Sequence, residues 1–228
     1  MIGVEDEPRW GALFDWDGVI IDSKALHEAA WDAVAREFGF AHGPDDFRRH
    51  FGSQNRRAIS EILRWTEDDG EIERISERKE SLYRELLPER FDLLIPGVEV
   101  FVAALVRRGV PCAVVSSSPR ANIDRVLANP ATRGLGSSLR AIVSAEDTRR
   151  SKPDPEGFAK GAERLGLPAA RCVVFEDAPV GISAGRAAGM RVVGLSTTHA
   201  ASELSQADRV VDRFELGLIE DILAWFPV

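Results

Sequence analysis

Five short runs of nearly unbroken apolar residues punctuate the chain: Gly11–Phe14, Val110–Val115, Ala141–Val143, Cys172–Phe175 and Arg191–Leu195. Strands covered on both faces of a sheet have this composition. Amphipathic segments of helical period separate the later four, at Ala121–Ala128, Glu156–Leu165 and Ile182–Ala188. Strands and helices in alternation predict a parallel sheet with helices on both faces. Asp208–Val211 reads as a short edge strand, and Leu216–Phe226 as a closing helix.

After the first strand the pattern changes. Residues 23–94 contain no convincing strand, only three- and four-residue apolar spacing in Leu26–Phe38, Arg56–Trp65 and Glu71–Leu86. A helical block of about 70 residues is far longer than an ordinary strand-to-helix connection. It is expected to be a separate helical domain, 23–94, inserted into a core made of 1–22 and 95–228. The two crossings, near Ser23 and Leu94–Pro96, would be its hinge.

Composition narrows the function classes. With 228 residues and 44% hydrophobic content the chain can bury a sizeable core. Its 37 acidic residues outnumber 29 basic ones, for a net charge of −8, which argues against a nucleic-acid partner. No apolar run approaches the roughly 20 residues of a membrane-spanning helix. The first residues are acidic where an export signal would be basic. Cys112 and Cys172 each lie inside an apolar run and read as reduced, buried core residues. The expectation is a cytoplasmic protein with no membrane partner, monomeric or weakly self-associating.

Ligands of open parallel sheets bind at the carboxyl ends of the strands, so the residues there carry the chemistry. The first strand ends in Asp15-Trp16-Asp17-Gly18, a carboxylate pair that a cation or a shared proton must relieve; the plain alternative is a solvated acidic turn. Ser116-Ser117-Ser118-Pro119 follows the second, as an anion-binding turn or an ordinary helix cap. After the third, Lys152 stands in a stiff Ser-Lys-Pro-Asp-Pro segment, as a fixed cation or a surface lysine. Glu176 and Asp177 close the fourth, and two acidic pairs brought together would suit Mg²⁺. Gly181, Gly185 and Gly189 recur every four residues and read as sites of close helix–sheet packing with no ligand role. Each motif has a bland reading. Four at successive strand ends of one sheet would converge on a single crevice, with the parts needed for phosphoryl transfer through an aspartyl phosphate.

These four motifs, in this order and with a helical insertion after the first, resemble the haloacid-dehalogenase-type phosphohydrolase superfamily, in its β-phosphoglucomutase and sugar-phosphate phosphatase branch. The resemblance spans essentially the whole chain. It implies a Rossmann-like α/β core with a helical cap domain, Mg²⁺ as cofactor and a small phosphorylated substrate such as a sugar or polyol phosphate. It implies Asp15 as nucleophile, Asp17 as general acid/base, and Ser116, Ser117 and Lys152 as phosphate-binding groups. The metal would be held among Asp15, Asp17, Glu176 and Asp177, with the backbone carbonyl of Asp17 contributing. His27 falls in a segment similar to the branch's hinge and first cap helix.

The resemblance also frames the alternatives. The mutases place a distal-phosphate arginine shortly after a cap glycine; aligned on Gly52, Asn55 stands there, followed by Arg56 and Arg57. Asn55 or Arg56 is therefore expected to face the cleft, while Arg48, Arg49 and Arg57 are not. A phosphatase is the leading expectation, with a phosphosugar mutase as its alternative and a non-catalytic phospho-acceptor regulator as a remote one. Asp17 argues against both a dehalogenase and a phosphonate hydrolase.

Overall fold

The computed structural model describes residues 10–88 and 92–227. Six strands, β1 (Gly11–Phe14), β2 (Cys112–Val115), β3 (Leu139–Val143), β4 (Cys172–Glu176), β5 (Arg191–Leu195) and β6 (Arg209–Val211), form one parallel sheet in the order β3-β2-β1-β4-β5-β6. Strand order reverses between β1 and β4, which opens a crevice at their carboxyl ends. The period-two alternation of β1 divides its side chains between two apolar layers. Phe14 joins a layer with Phe101, Phe175 and Phe214, whereas Leu13 joins Val115, Phe158 and Val174 on the other face. Phe14 stacks on Phe175 with ring centres 4.6 Å apart.

The insertion contains α1 (Lys24–Phe38), α2 (Pro44–His50), α3 (Asn55–Arg57) and α4 (Asp69–Leu86). These helices surround their own apolar cluster, which includes Trp31, Val34, Phe47, Ile59, Ile72 and Ile75. Asp68 caps α4 by accepting the Glu71 amide at 2.8 Å, so the sequence Asp-x-x-Glu starts this helix. The chain enters and leaves the insertion side by side: Asp22 N–H donates to the Leu93 carbonyl at 2.7 Å and Ile95 N–H to that of Ile20 at 3.0 Å.

The core helices are α5 (Val98–Arg107), α6 (Arg120–Leu127), α7 (Arg133–Ser138), α8 (Glu156–Leu165), α9 (Pro179–Ala187) and α10 (Gly217–Leu223). Several boundaries correct the sequence reading. Helix α9 begins three residues early, because Pro179 suits a first helical position. The closing helix ends at Leu223, three residues short of Phe226. Arg56–Trp65 is not one helix: α3 passes into a π-helical turn over Ala58–Ile62, and Trp65 lies beyond it, stacked on Phe40 at 4.8 Å. Helices α2, α5 and α7 lack a counterpart in the sequence reading. The strand begins at Cys112, two residues after Val110, since Pro111 has no N–H for the ladder. Cys112 pairs with Ala12 and Cys172 with Gly11 from opposite sides of β1; both thiols are free and buried.

Candidate functional site

Asp15 follows β1, its amide donating to the Phe175 carbonyl at 2.9 Å, so its side chain emerges where the strand order reverses. Lys152 arrives from the loop after β3 and donates to Asp15 Oδ1 at 2.5 Å and to Glu176 Oε1 at 2.6 Å. Glu176 is held from behind, because its Oε2 accepts the amides of Asp177 at 2.9 Å and Ala178 at 3.0 Å. All four groups are buried.

Two glycines make room for this cluster. A β-carbon on Gly181, in the first turn of α9, would coincide with the Glu176 carboxylate. One on Gly18, whose φ is +81°, would strike the Asp177 carboxylate. Gly181 therefore lets α9 pack closely on the end of β4, in keeping with its reading as a packing glycine, and the group it accommodates is a carboxylate of the site. Gly185 does lie in packing contact, over Val174 and Val192.

Burial raises the Asp15 carboxyl to about 7, against the pull of Lys152 and with the push of Glu176 and Asp17. Burial, then the charges of Glu176 and Asp15, push Asp177 well above the usual carboxylate range. Burial alone would lower Lys152, but Asp15 and Glu176 more than reverse this and keep it an ammonium. Carboxylate oxygens of Asp15, Glu176 and Asp177 all lie within 4.8 Å of one another. Three buried oxygen donors facing a single ammonium fit a hard divalent cation. Thr198, after β5, donates to Asp177 Oδ2, and Thr197 donates to the Gly18 carbonyl.

Asp17 belongs to a different set. Its Oδ1 accepts from Ser23 Oγ at 2.6 Å and meets His27 Nε2 at 3.0 Å; its Oδ2 accepts from Ser118 Oγ at 2.6 Å. Burial opposes ionisation of this carboxyl, but His27 and the two hydroxyls outweigh it and hold it below the usual range. The Asp17 side chain is thus bound by these three groups, apart from the grouped oxygens of Asp15, Glu176 and Asp177. The metal contact expected of Asp17, through its backbone carbonyl, uses none of these side-chain atoms.

His27 stacks on Tyr83, ring centres 4.1 Å apart, and its Nδ1 meets Lys79 Nζ at 2.9 Å. An ammonium only donates, so Nδ1 accepts and Nε2 carries the hydrogen toward Asp17. Lys79 also donates to Glu80 Oε1 at 2.8 Å. Glu80 in turn accepts from Asn55 at 2.8 Å and, through Oε2, from Asn122 of α6 at 2.5 Å. A continuous buried polar chain therefore links the core to Asp17 through the insertion.

Ser116 and Ser117 lie where the second strand ends. Ser116 Oγ accepts the Ser118 amide at 2.9 Å, closing a tight turn, and Ser117 lines the cavity beside Asp15. At the N-terminus of α6 the Arg120 amide donates to both carboxylate oxygens of Glu146. Pro119 stands at the cap position of α6.

Asn55 lines the same cavity as Asp15 and Asp17, but Arg56 does not. Arg56 points outward to Asp69 at 2.7 Å with its side chain 64% exposed, so of the two residues expected at the cleft it is Asn55 that lines it. Arg57 donates to the Lys152 carbonyl at 2.6 Å, and Gln54 to Thr148 Oγ1 at 2.8 Å, tying the insertion to the loop that carries Lys152. The cavity between the two parts holds ≈ 30 Å³, room for about two waters. Lys79, Glu80 and Asn122 were not picked out from the sequence. Ser23 and Ser118 were noted there only as the hinge crossing and the third hydroxyl of the serine turn, without a role at Asp17.

The chain was compared with known proteins. It is 35% identical over 213 residues to 5-amino-6-(5-phospho-D-ribitylamino)uracil phosphatase of Arabidopsis thaliana, which covers 92% of the chain and 56% of that longer protein. It is 32% identical over 197 residues to validoxylamine A 7'-phosphate phosphatase of Streptomyces hygroscopicus subsp. limoneus, covering 86% of this chain and 90% of that one. Among solved structures, β-phosphoglucomutase of Clostridium difficile superposes with a TM-score of 0.82 at 25% identity, over 92% of this chain and 95% of the other. Residues 11–189 match the haloacid dehalogenase-like hydrolase family, and with the carboxylate-bearing strand ends of its parallel sheet the chain belongs to that family.

Proposed function

We propose that this protein is a Mg²⁺-dependent phosphatase of a small phosphorylated metabolite, a sugar or polyol phosphate, acting through a phosphoryl group carried on Asp15. The separation of two carboxylates at one strand end supports this reading best. Asp15 sits between Lys152 and the buried acidic cluster, while Asp17, two residues on, is held by Ser23, His27 and Ser118. On this reading one group is phosphorylated and the other handles a proton. The phosphatase names of the two relatives above agree with it.

Asp15, Asp177 and the Asp17 carbonyl would hold Mg²⁺, whose charge would offset the repulsion between an anionic nucleophile and an anionic phosphate. Lys152 and the Ser116–Ser117 turn bind the phosphate oxygens. An Asp15 carboxylate oxygen attacks phosphorus, the ester P–O bond breaks, and the Asp17 proton passes to the departing oxygen. Water then attacks the phosphoryl group, Asp17 takes its proton, and inorganic phosphate leaves with Asp15 restored. The contacts from His27, Ser118 and Ser23 favour the ionised form of Asp17, the form the second half-reaction needs. Residues 23–94 act as a cap, because so small a cavity admits a phosphate ester only after the insertion swings away on the Ile20–Asp22 and Leu93–Ile95 hinge.

Phosphate release from a panel of sugar, polyol and nucleotide monophosphates, with Mg²⁺ and with chelator, tests the reading. Mg²⁺-dependent turnover, together with a phosphorylated chain detected by intact mass after acid quench, is the expected result. Turnover that persists in Asp15→Asn would overturn it.

A further inference from the structure

The insertion lines its side of the cavity with Trp31, Phe47, Phe51, Asn55, Lys79 and Glu80. Lys79 and Glu80 are an ion pair at 2.8 Å, with side chains only 3% and 6% exposed, so their charges cancel within the wall. Lys79 neutralises Glu80 at close range, and this outweighs the burial that would otherwise favour a protonated carboxyl. The four arginines flanking the Gly52 turn are all committed elsewhere. Arg48 pairs with Glu203, Arg49 with Asp46, and Arg56 with Asp69, while Arg57 holds the Lys152 carbonyl. No unpaired cation among the described residues faces the cavity from this side.

Asn55 is oriented by Glu80. Its Nδ2 donates to Glu80 Oε1 at 2.8 Å, which identifies its other amide atom, Oδ1, as an acceptor; that atom has no partner among the described residues. An unpartnered acceptor in a charge-compensated wall suits a hydroxyl donor and gives an anion no donor to pair with. The rings of Trp31, Phe47 and Phe51 add an apolar surface that fits the C–H face of a carbon frame.

We propose that the substrate carries a single phosphate, that its remainder is uncharged and hydroxyl-bearing, and that Asn55 receives one of those hydroxyls and excludes a second phosphate. The inference rests on the phosphatase reading and adds the chemistry of the substrate's far end. A distal phosphate would lose its water against Glu80 with no free cation to replace it, which discriminates against bisphosphates.

Matched pairs that differ by one phosphate test this: fructose 1-phosphate against fructose 1,6-bisphosphate, and glucose 1-phosphate against glucose 1,6-bisphosphate. Two quantities are read for each pair, kcat/KM with Mg²⁺ and the dissociation constant from the Asp15→Asn protein by calorimetry. Each bisphosphate should be at least about tenfold worse than its partner in both, and Asn55→Arg should narrow or reverse the ratio, mainly through KM. Bisphosphates bound and hydrolysed as well as monophosphates would overturn the proposal, as would an Asn55→Arg ratio equal to that of the wild type. If Asn55→Arg fails to fold, the wild-type pairs still decide. Absence of Mg²⁺-dependent turnover of every compound, p-nitrophenyl phosphate included, overturns the phosphatase reading instead, and the binding ratio then still reports on the far end.

Discussion

The carboxylate of Glu176 occupies the space that a β-carbon on Gly181 would fill. Glu176 is also what Lys152 leans on while it reaches Asp15. A methyl group at Gly181 must therefore move Glu176, and through it the ammonium beside the reacting carboxylate. Gly181→Ala should destabilise the protein by about 1–3 kcal/mol, the usual cost of overpacking, and should lower kcat beyond what the stability loss explains. Thermal denaturation and steady-state kinetics at a temperature where the variant is fully folded check both parts.

Asp15 and Asp17 differ in partners, and their amide variants should differ in kinetics. Asp15→Asn cannot form an acyl phosphate and should show neither turnover nor a phosphorylated chain. Asp17→Asn keeps the nucleophile and loses the proton carrier, so its turnover should fall by about 10²–10⁴-fold. With an ester whose leaving group needs no proton, a stoichiometric burst followed by a stall is expected, and a rapid-quench time course shows it. Equal behaviour of the two variants would contradict the division of labour.

The acidic cluster should respond to metal through stability as well as activity. Mg²⁺ bound at 100 times its dissociation constant should stabilise the fold by about 2.7 kcal/mol. Asp177→Asn should abolish that shift. Thr198→Val, which removes a hydroxyl donating to Asp177, should weaken Mg²⁺ binding by about 10-fold and leave a reduced shift. Denaturation curves across a Mg²⁺ titration measure all three proteins.

His50, on the insertion's side of the cavity, gives a pH dependence of its own. It is 2% exposed, and burial, with the nearby charges of His42 and Lys79, lowers it to about 3. Its folded value lies below the unfolded value of about 6.5, so the unfolded chain binds the extra proton between those limits. Its stabilising contribution is complete above about pH 6.5 and is lost as the pH falls toward 3. Between pH 6.5 and 5.0 the loss from this group should be about 2 kcal/mol. Urea midpoints at the two pH values should separate more in the wild type than in His50→Gln.

The sheet and the strand-end chemistry were legible in the sequence because each depends on neighbours in the chain. A strand covered on both faces must be apolar throughout, so Gly11–Phe14 and Cys172–Phe175 stand out, and the residues that follow them must lie at the crevice. Asp15, Glu176 and Asp177 follow from that rule, and Lys152 from its stiff proline-flanked loop after the third strand. Helix α5 was missed since Val98–Arg107 is so apolar that its period is blurred, and α2 since Pro44–His50 is short and polar. What the tertiary structure decided is which partner each polar group meets. Asp17 looked like half of an acidic pair, yet Ser23, His27 and Ser118 converge on it from the hinge, the insertion and the second strand end. Asn55 and Arg56 are adjacent in sequence, but one helical step rotates the side chain by about 100°. That rotation, with Glu80 holding Asn55 and Asp69 drawing Arg56 outward, places the amide in the cavity and the guanidinium in solvent. Local spacing contains no record of Glu80 or Asp69, because both arrive on α4, brought there by the apolar packing of the insertion.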